Sequence, residues 1–197
     1  MKRWGIVSVL VLLAGVICFW GAKAIRWGQL LALAVEYNHH IAAGKMPGDY
    51  EALAADGKLA RLEIPSCHAQ LDIYIDGTGA ADGLGHLRSS ALPIGGKGNH
   101  TVLTADTLPE LREGDLFYIR IYGMRLAYRV EQITYARTYT LMPESEADLC
   151  TLVAGGAVVQ ARRVMTREIS TWPILFIPAV FAAALLPLRK KQADKCI

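Results

Sequence analysis

Two charge-free apolar stretches near the ends of this chain confine any globular part to the residues between them. Residues 5–22 and 171–188 contain no Asp, Glu, Lys or Arg. Each is long enough to cross a bilayer as a helix, which takes about 20 residues at ~1.5 Å rise. The first run exceeds the ~7–15 apolar residues of a secretory signal, and Ala22-Lys23-Ala24 is a poor cleavage site, so a retained anchor is expected. The second contains Pro173, Pro178 and Pro187, which a membrane helix tolerates better than a soluble one. The high apolar content, 53%, is concentrated in these two ends.

Charge placement orients both segments. Lys2 and Arg3 precede the first, and Arg189, Lys190, Lys191 and Lys195 follow the second, opposed only by Asp194. Basic flanks stay cytoplasmic. The expected organisation is therefore a cytoplasmic tail (1–4), a transmembrane helix (5–22), a membrane-proximal helical segment (23–57), an extracellular β-domain (58–170), a second transmembrane helix (171–188) and a cytoplasmic tail (189–197). This places the chain in the cell membrane with two spans. The net charge of +3 thus reflects topology. The middle has no dense basic patch with interleaved aromatics, so no nucleic-acid partner is expected.

Cys18 falls in the first apolar run and Cys196 in the tail, leaving Cys67 and Cys150 outside. No CxxC or Cys/His metal spacing exists. The glycine-rich stretch 77–98 has neither Gly-Lys-Ser/Thr nor a strand–GxGxxG–helix context. No metal and no cofactor is expected. Cys67 and Cys150 read as two separate buried thiols, with a disulfide in an oxidising exterior as the alternative.

Between the apolar ends the hydrophobic period changes. Trp27, Leu30, Leu31, Ala34 and Val35 recur at helical spacing over 24–44, and Gly44-Lys45-Met46-Pro47-Gly48 ends the helix. Residues 49–55 suggest a short second helix, stopped at Asp56-Gly57. Beyond Lys58 the pattern alternates as in strands: 60–65, 70–75, 100–104, and a hairpin of 116–122 with 125–133. Many short strands separated by turn signals predict a closed barrel of seven or eight strands, mainly β with short helices.

Residues 149–163 read as strand, glycine break, strand. The apolar run Thr151-Leu152-Val153-Ala154 stops at Gly155-Gly156, and Val158-Val159 leads on to Arg162-Arg163. The expectation is that Gly155 and Arg163 stand near one rim of the sheet, where sites are often built.

The ordered series of motifs resembles a known family. Leu62-Glu63-Ile64-Pro65, Leu71-Asp72-Ile73-Tyr74 and Asp76-Gly77-Thr78 resemble the opening strands of sortases. Gly85-His86-Leu87, Ser90-Ala91-Leu92-Pro93-Ile94-Gly95-Gly96 and Asn99-His100-Thr101-Val102-Leu103-Thr104 are similar to the pilin-type, class C branch. Arg112-Glu113-Gly114-Asp115-Leu116-Phe117-Tyr118-Ile119, Leu126-Ala127-Tyr128-Arg129-Val130 and Tyr37-Asn38 match as well. The resemblance implies a sortase-like closed β-barrel flanked by two transmembrane helices. It also implies the chemistry of a cysteine transpeptidase, in which a thiolate attacks, a histidine moves the proton and an arginine stabilises the substrate or the oxyanion.

Carried over residue by residue, those groups are mostly missing. The family's Thr-Gly-His is Thr104-Ala105-Asp106 here, so Asp106 stands at the histidine position. Its Leu-Val-Thr-Cys is Leu152-Val153-Ala154-Gly155, so Gly155 stands at the cysteine position. Arg163 aligns with the family's arginine. The segment after the histidine position is about ten residues shorter than in the family, and no lid motif precedes Leu62.

The resemblance therefore implies an inactive accessory or peptide-binding module of surface-protein or pilus assembly. Its candidate partners are the membrane, a sorting-signal peptide, a pilin or an active sortase. The alternative is an active class C transpeptidase with a displaced nucleophile. Cys150 lies roughly 17 Å from Gly155 along a strand and on the other face, and His100 roughly 20 Å from Asp106, at ~3.3 Å per residue. Packing or hydrogen-bonding roles are expected for both.

Overall fold

A single helix, α1, runs from Lys2 to Ala42 and joins the expected anchor to the membrane-proximal helix. The computed structural model describes residues 2–46, 48, 50–54, 57–75, 83–135 and 147–165, without the side chains of 2–10 and 12. The second expected span and the C-terminal tail fall in a separate unit, 166–197, outside the described residues. Among the described residues no helix is long and apolar enough to cross a membrane. The window 5–22 includes side chains outside that description.

α1 changes character along its length. Val11, Val16, Ile17, Phe19, Trp20 and Ile25 are each more than half exposed, whereas Ala34 and Tyr37 are buried. The helix ends where the breakers predict. Gly44 takes a left-handed φ of +68°, its N–H donates to the Ile41 carbonyl, and the Lys45 N–H donates to that of His40. This pair of bonds satisfies carbonyls that the last turn would otherwise leave open. The short second helix is instead a 3₁₀ turn, Tyr50–Leu53, too short between Gly48 and Gly57 to propagate as α-helix.

Among the described residues eight strands follow: β1 (Lys58–Ile64), β2 (Ala69–Ile75), β3 (Leu84–His86), β4 (His100–Ala105), β5 (Leu116–Ile121), β6 (Met124–Tyr135), β7 (Leu149–Ala154) and β8 (Ala157–Val164). They close into a barrel in the order β1-β2-β3-β4-β7-β8-β6-β5. β2 with β3 and β4 with β7 are parallel, and all other pairs are antiparallel. β3 was not legible in the glycine-rich stretch. Its three residues are all buried, too few to show alternation.

The alternation seen in sequence becomes inside and outside of the barrel. Phe117, Ile119 and Ile121 of β5 are buried while Arg120 points out, and the Phe117 ring stacks on Tyr128 of β6 at 5.6 Å. Each such fully buried side chain contributes about 1.5–3 kcal/mol.

The register sorts the strand ends into two rims. One rim carries Lys58, Ile75, His86, His100, Leu149, Val164 and the β5–β6 turn. α1 meets this rim at two places. Trp27 lies against Gly123 in the β5–β6 turn, where an added Cβ would come within 2.6 Å of the indole. Further along, Tyr37 and Asn38 reach the segment after β3, with the Tyr37 hydroxyl donating to the Arg88 carbonyl. Asn38 donates to the Leu92 carbonyl (3.1 Å) and accepts from the Leu92 N–H (2.7 Å), both bonds buried. The opposite rim carries the ends of β4 and β7.

Candidate functional site

The parallel pairing of β4 with β7 determines what stands at that opposite rim. Ala105 is registered on Ala154, so the next residues, Asp106 and Gly155, emerge side by side. A Cβ at Gly155 would lie 3.6 Å from the Asp106 carbonyl oxygen, an ordinary contact. Asp106 is exposed. Gly155 and Gly156 have φ of +55° and +84°, the two left-handed values of a two-residue type I′ hairpin. Both positions therefore favour glycine, and the hairpin reverses in the shortest possible distance.

That tight turn overturns the placement of Arg163. With only two residues between the strands, Ala154 pairs with Ala157, and each step away from the turn carries both strands down the barrel. Arg162 pairs with Leu149, at the far end. Arg163 therefore stands on the rim that α1 meets, not beside Gly155 and Asp106. The Gly155-Gly156 pair is itself the signal of a two-residue hairpin, and counting on from a turn of that length would have put Arg163 at the far end. β8 begins Ala157-Val158-Val159, so the strand leaving the turn brings no guanidinium to the Asp106–Gly155 rim.

Arg163 instead closes a buried ion pair. Its Nη1 donates to Asp148 Oδ2 at 3.2 Å, with 34% of the arginine side chain and 8% of the aspartate side chain exposed. Its backbone N–H donates to the Asp148 carbonyl at 2.9 Å. The carboxylate also accepts from the Gly96 N–H (3.2 Å) and the Tyr128 hydroxyl (3.3 Å). Gly95, at φ +79°, lies so close that any Cβ there would collide with the guanidinium. Burial pushes the Asp148 carboxyl above its ordinary value, with Arg163 acting in the opposite direction. Burial also pushes the Tyr128 phenol well up. These groups clamp the loop after Leu92 to β8, and the role is structural.

The candidates for a displaced nucleophile fare no better. Cys150 is fully buried in the core, and burial drives its thiol far above the usual range, where almost no thiolate forms. Cys67 is exposed, on a 3₁₀ turn (Pro65–Cys67) after β1. β1 stands four places from β7 in the eight-strand ring, on the opposite side of the barrel. The two are free thiols and not a disulfide, but only Cys150 is buried as expected. His100 is on the α1 rim and within hydrogen-bond distance of Thr151 Oγ1, 2.8 Å from Nε2. Burial lowers its pKa. It has the hydrogen-bonding role expected of it.

A buried polar network was missed at the sequence level. His86 is fully buried, with Nε2 3.1 Å from the Ala91 carbonyl and Nδ1 2.6 Å from the Tyr50 hydroxyl. A carbonyl can only accept, so Nε2 carries the proton and Nδ1 accepts from the tyrosine. Tyr50 stacks on Tyr37 at 5.4 Å. Together these tie α1 and the 3₁₀ turn to β3. The signals in the sequence were the Tyr37-Asn38 and Gly85-His86-Leu87 motifs, neither of which identified Tyr50 as the partner.

No protein-family profile matches the sequence, and no curated protein does. Solved structures do. Sortase C1 of Streptococcus agalactiae, solved in complex with MTSET, is 28% identical with a TM-score of 0.63, over 73% of this chain and 92% of that one. Sortase C-1 of Actinomyces oris is 29% identical with a TM-score of 0.60, over 71% and 99%. Clostridium perfringens sortase C, solved as an intermolecular complex with the C-terminal cell wall sorting signal motif, is 26% identical with a TM-score of 0.62, over 79% and 94%.

Its fold is that of a class C sortase. The sortase-like barrel accounts for β1 to β8, and its β4 and β7 ends form the Asp106–Gly155 rim described above.

Proposed function

We propose that this chain is a membrane-anchored sortase-like module without transpeptidase activity, which docks an extended sorting-signal-type peptide at the Asp106–Gly155 rim in surface-protein or pilus assembly. The observation that carries the reading is the type I′ turn at Gly155-Gly156 beside Asp106. By the motif resemblance, Gly155 is read at the family's cysteine position and Asp106 at its histidine position. A glycine in a left-handed turn offers no thiol to attack, and Asp106 is not the imidazole that the family's route uses. The arginine position is lost as well, since Arg163 is committed to Asp148 at the other rim. The sorting-signal complex of the Clostridium perfringens relative supports a peptide as the ligand class.

Anchoring belongs to the same reading. The exposed apolar side chains from Val11 to Ile25, the charge-free windows 5–22 and 171–188, and the basic flanks support two spans with both tails cytoplasmic.

The test is fluorescence anisotropy with a labelled sorting-signal peptide on the full chain in detergent. Saturable binding weakened by Asp106→Arg is the expected result. No binding at millimolar peptide would remove the docking role.

A further inference from the structure

We propose that the β5–β6 hairpin is a membrane-docking edge that takes anionic phospholipid headgroups of the leaflet in which α1 is anchored. This rests on the anchor reading above. Of the barrel parts that touch α1, this turn is seated nearest the apolar window. Trp27, against Gly123, is five residues beyond position 22, about 7.5 Å of helix rise. Gly123 has φ +78° and its neighbour Tyr122 has φ +46°, so the strands reverse tightly and the turn fits flush on the indole. The Tyr122 hydroxyl donates to the Leu53 carbonyl at 2.7 Å and holds the turn in place.

The chemistry around this contact suits a headgroup layer. Trp20 and Trp27 flank Lys23, whose Nζ lies 5.7 and 4.9 Å from their ring centroids. Tryptophan and lysine at the end of an apolar helix are the usual residues of the membrane interface. On the barrel wall beside the turn, Arg61 of β1 is registered on Arg120 of β5, and Arg120 on Arg125 of β6. Three guanidiniums thus stand in a row across three strands. Like charges directly opposite one another destabilise a sheet. Glu63 is shared between Arg120 and Arg125, at 2.5 and 3.5 Å, and Asp72 between Arg61 and Lys58, at 2.8 and 2.7 Å. Among the described residues the row and Lys58 hold four cations to the two carboxylates Glu63 and Asp72, and phosphate oxygens are acceptors that complement it.

The experiment floats the full-length protein with vesicles of phosphatidylcholine and with vesicles also containing phosphatidylglycerol, and follows amide hydrogen exchange by mass spectrometry in each. The expected result is flotation with both. The peptide covering residues 118–126 should exchange about fivefold more slowly on the anionic vesicles, the protection that one basic residue at a charged surface supplies. The gain should disappear at high salt and shrink in Arg120→Gln and in Lys23→Gln, while residues 101–106 show no lipid dependence. Equal exchange of 118–126 on both lipids, with the protein floating, would overturn the docking edge and leave the anchor intact. Failure to float with phosphatidylcholine would overturn the anchor, and the docking edge with it.

Discussion

Replacing Arg163 by alanine should destabilise the barrel by about 2 kcal/mol at neutral pH, without touching the Asp106–Gly155 rim. Breaking a fully buried ion pair from one side costs about 3–5 kcal/mol, because the remaining charge is left without a counter-ion. Here Asp148 has 8% of its side chain exposed but Arg163 has 34%, so water screens part of the pair already. Asp148 also keeps the Gly96 N–H and the Tyr128 hydroxyl. Those two facts reduce the figure to about 2 kcal/mol.

The sign with pH is fixed by Asp148. Its folded-state pKa is raised, so the folded protein holds the proton longer than the unfolded chain. The contribution of this group to stability is present at low pH and falls as pH rises through the folded pKa. In Arg163→Ala the carboxylate loses its opposing cation and its pKa rises further. The deficit of the variant should then shrink on acidification, since a neutral carboxyl needs no partner. The assay is pulse proteolysis across urea concentrations on the detergent-solubilised chain, for wild type, Arg163→Ala, Asp148→Asn and the double variant, at neutral and acidic pH. A coupling energy near zero, or a deficit that does not change with pH, would refute the clamp and make Arg163 an ordinary surface charge.

Two further outcomes follow from the same structure. Asn38→Ala should cost about 2–3 kcal/mol, because it strips both the N–H and the carbonyl of Leu92 of buried partners. Hydrogen exchange should show the C-terminal half of α1 opening at lower free energy than the barrel, and unchanged exchange there would argue against the seat. In the folded protein Cys67 should react with a soluble maleimide and Cys150 only after denaturation. Rapid labelling of native Cys150 would contradict its burial.

Much of the fold was legible because its signals are local. Period-two alternation located β1, β2, β4, β5 and β6 within a few residues, and the glycine break located β7 and β8. β3 escaped because three residues around Gly85 show no period, and its pairing with β2 is made by the closed ring and not by its own sequence. The site was legible in part for the same reason. Asp106 and Gly155 each end a recognisable strand, and the parallel β4–β7 register brings them together. Arg163 was misplaced because its position depends on the length of one turn. A longer loop before β8 would have returned the arginine toward the rim, and two glycines in left-handed conformation forbid it. The His86–Tyr50 network was invisible because its members are far apart in sequence and meet only through tertiary contacts.

The central claim is that Gly155 leaves no thiol beside Asp106 at this rim, and a fluorogenic sorting-signal peptide with an acceptor amine tests it most directly. Full-length wild type should give no turnover above the uncatalysed rate, because acyl transfer by this route needs a thiolate at the rim. Gly155→Cys should stay nearly inert, since the new residue is strained at φ +55°, by about 1–2 kcal/mol, and has an aspartate, not a histidine, at the neighbouring strand end. Wild-type turnover that persists in the Cys67→Ala/Cys150→Ala double variant would contradict the account.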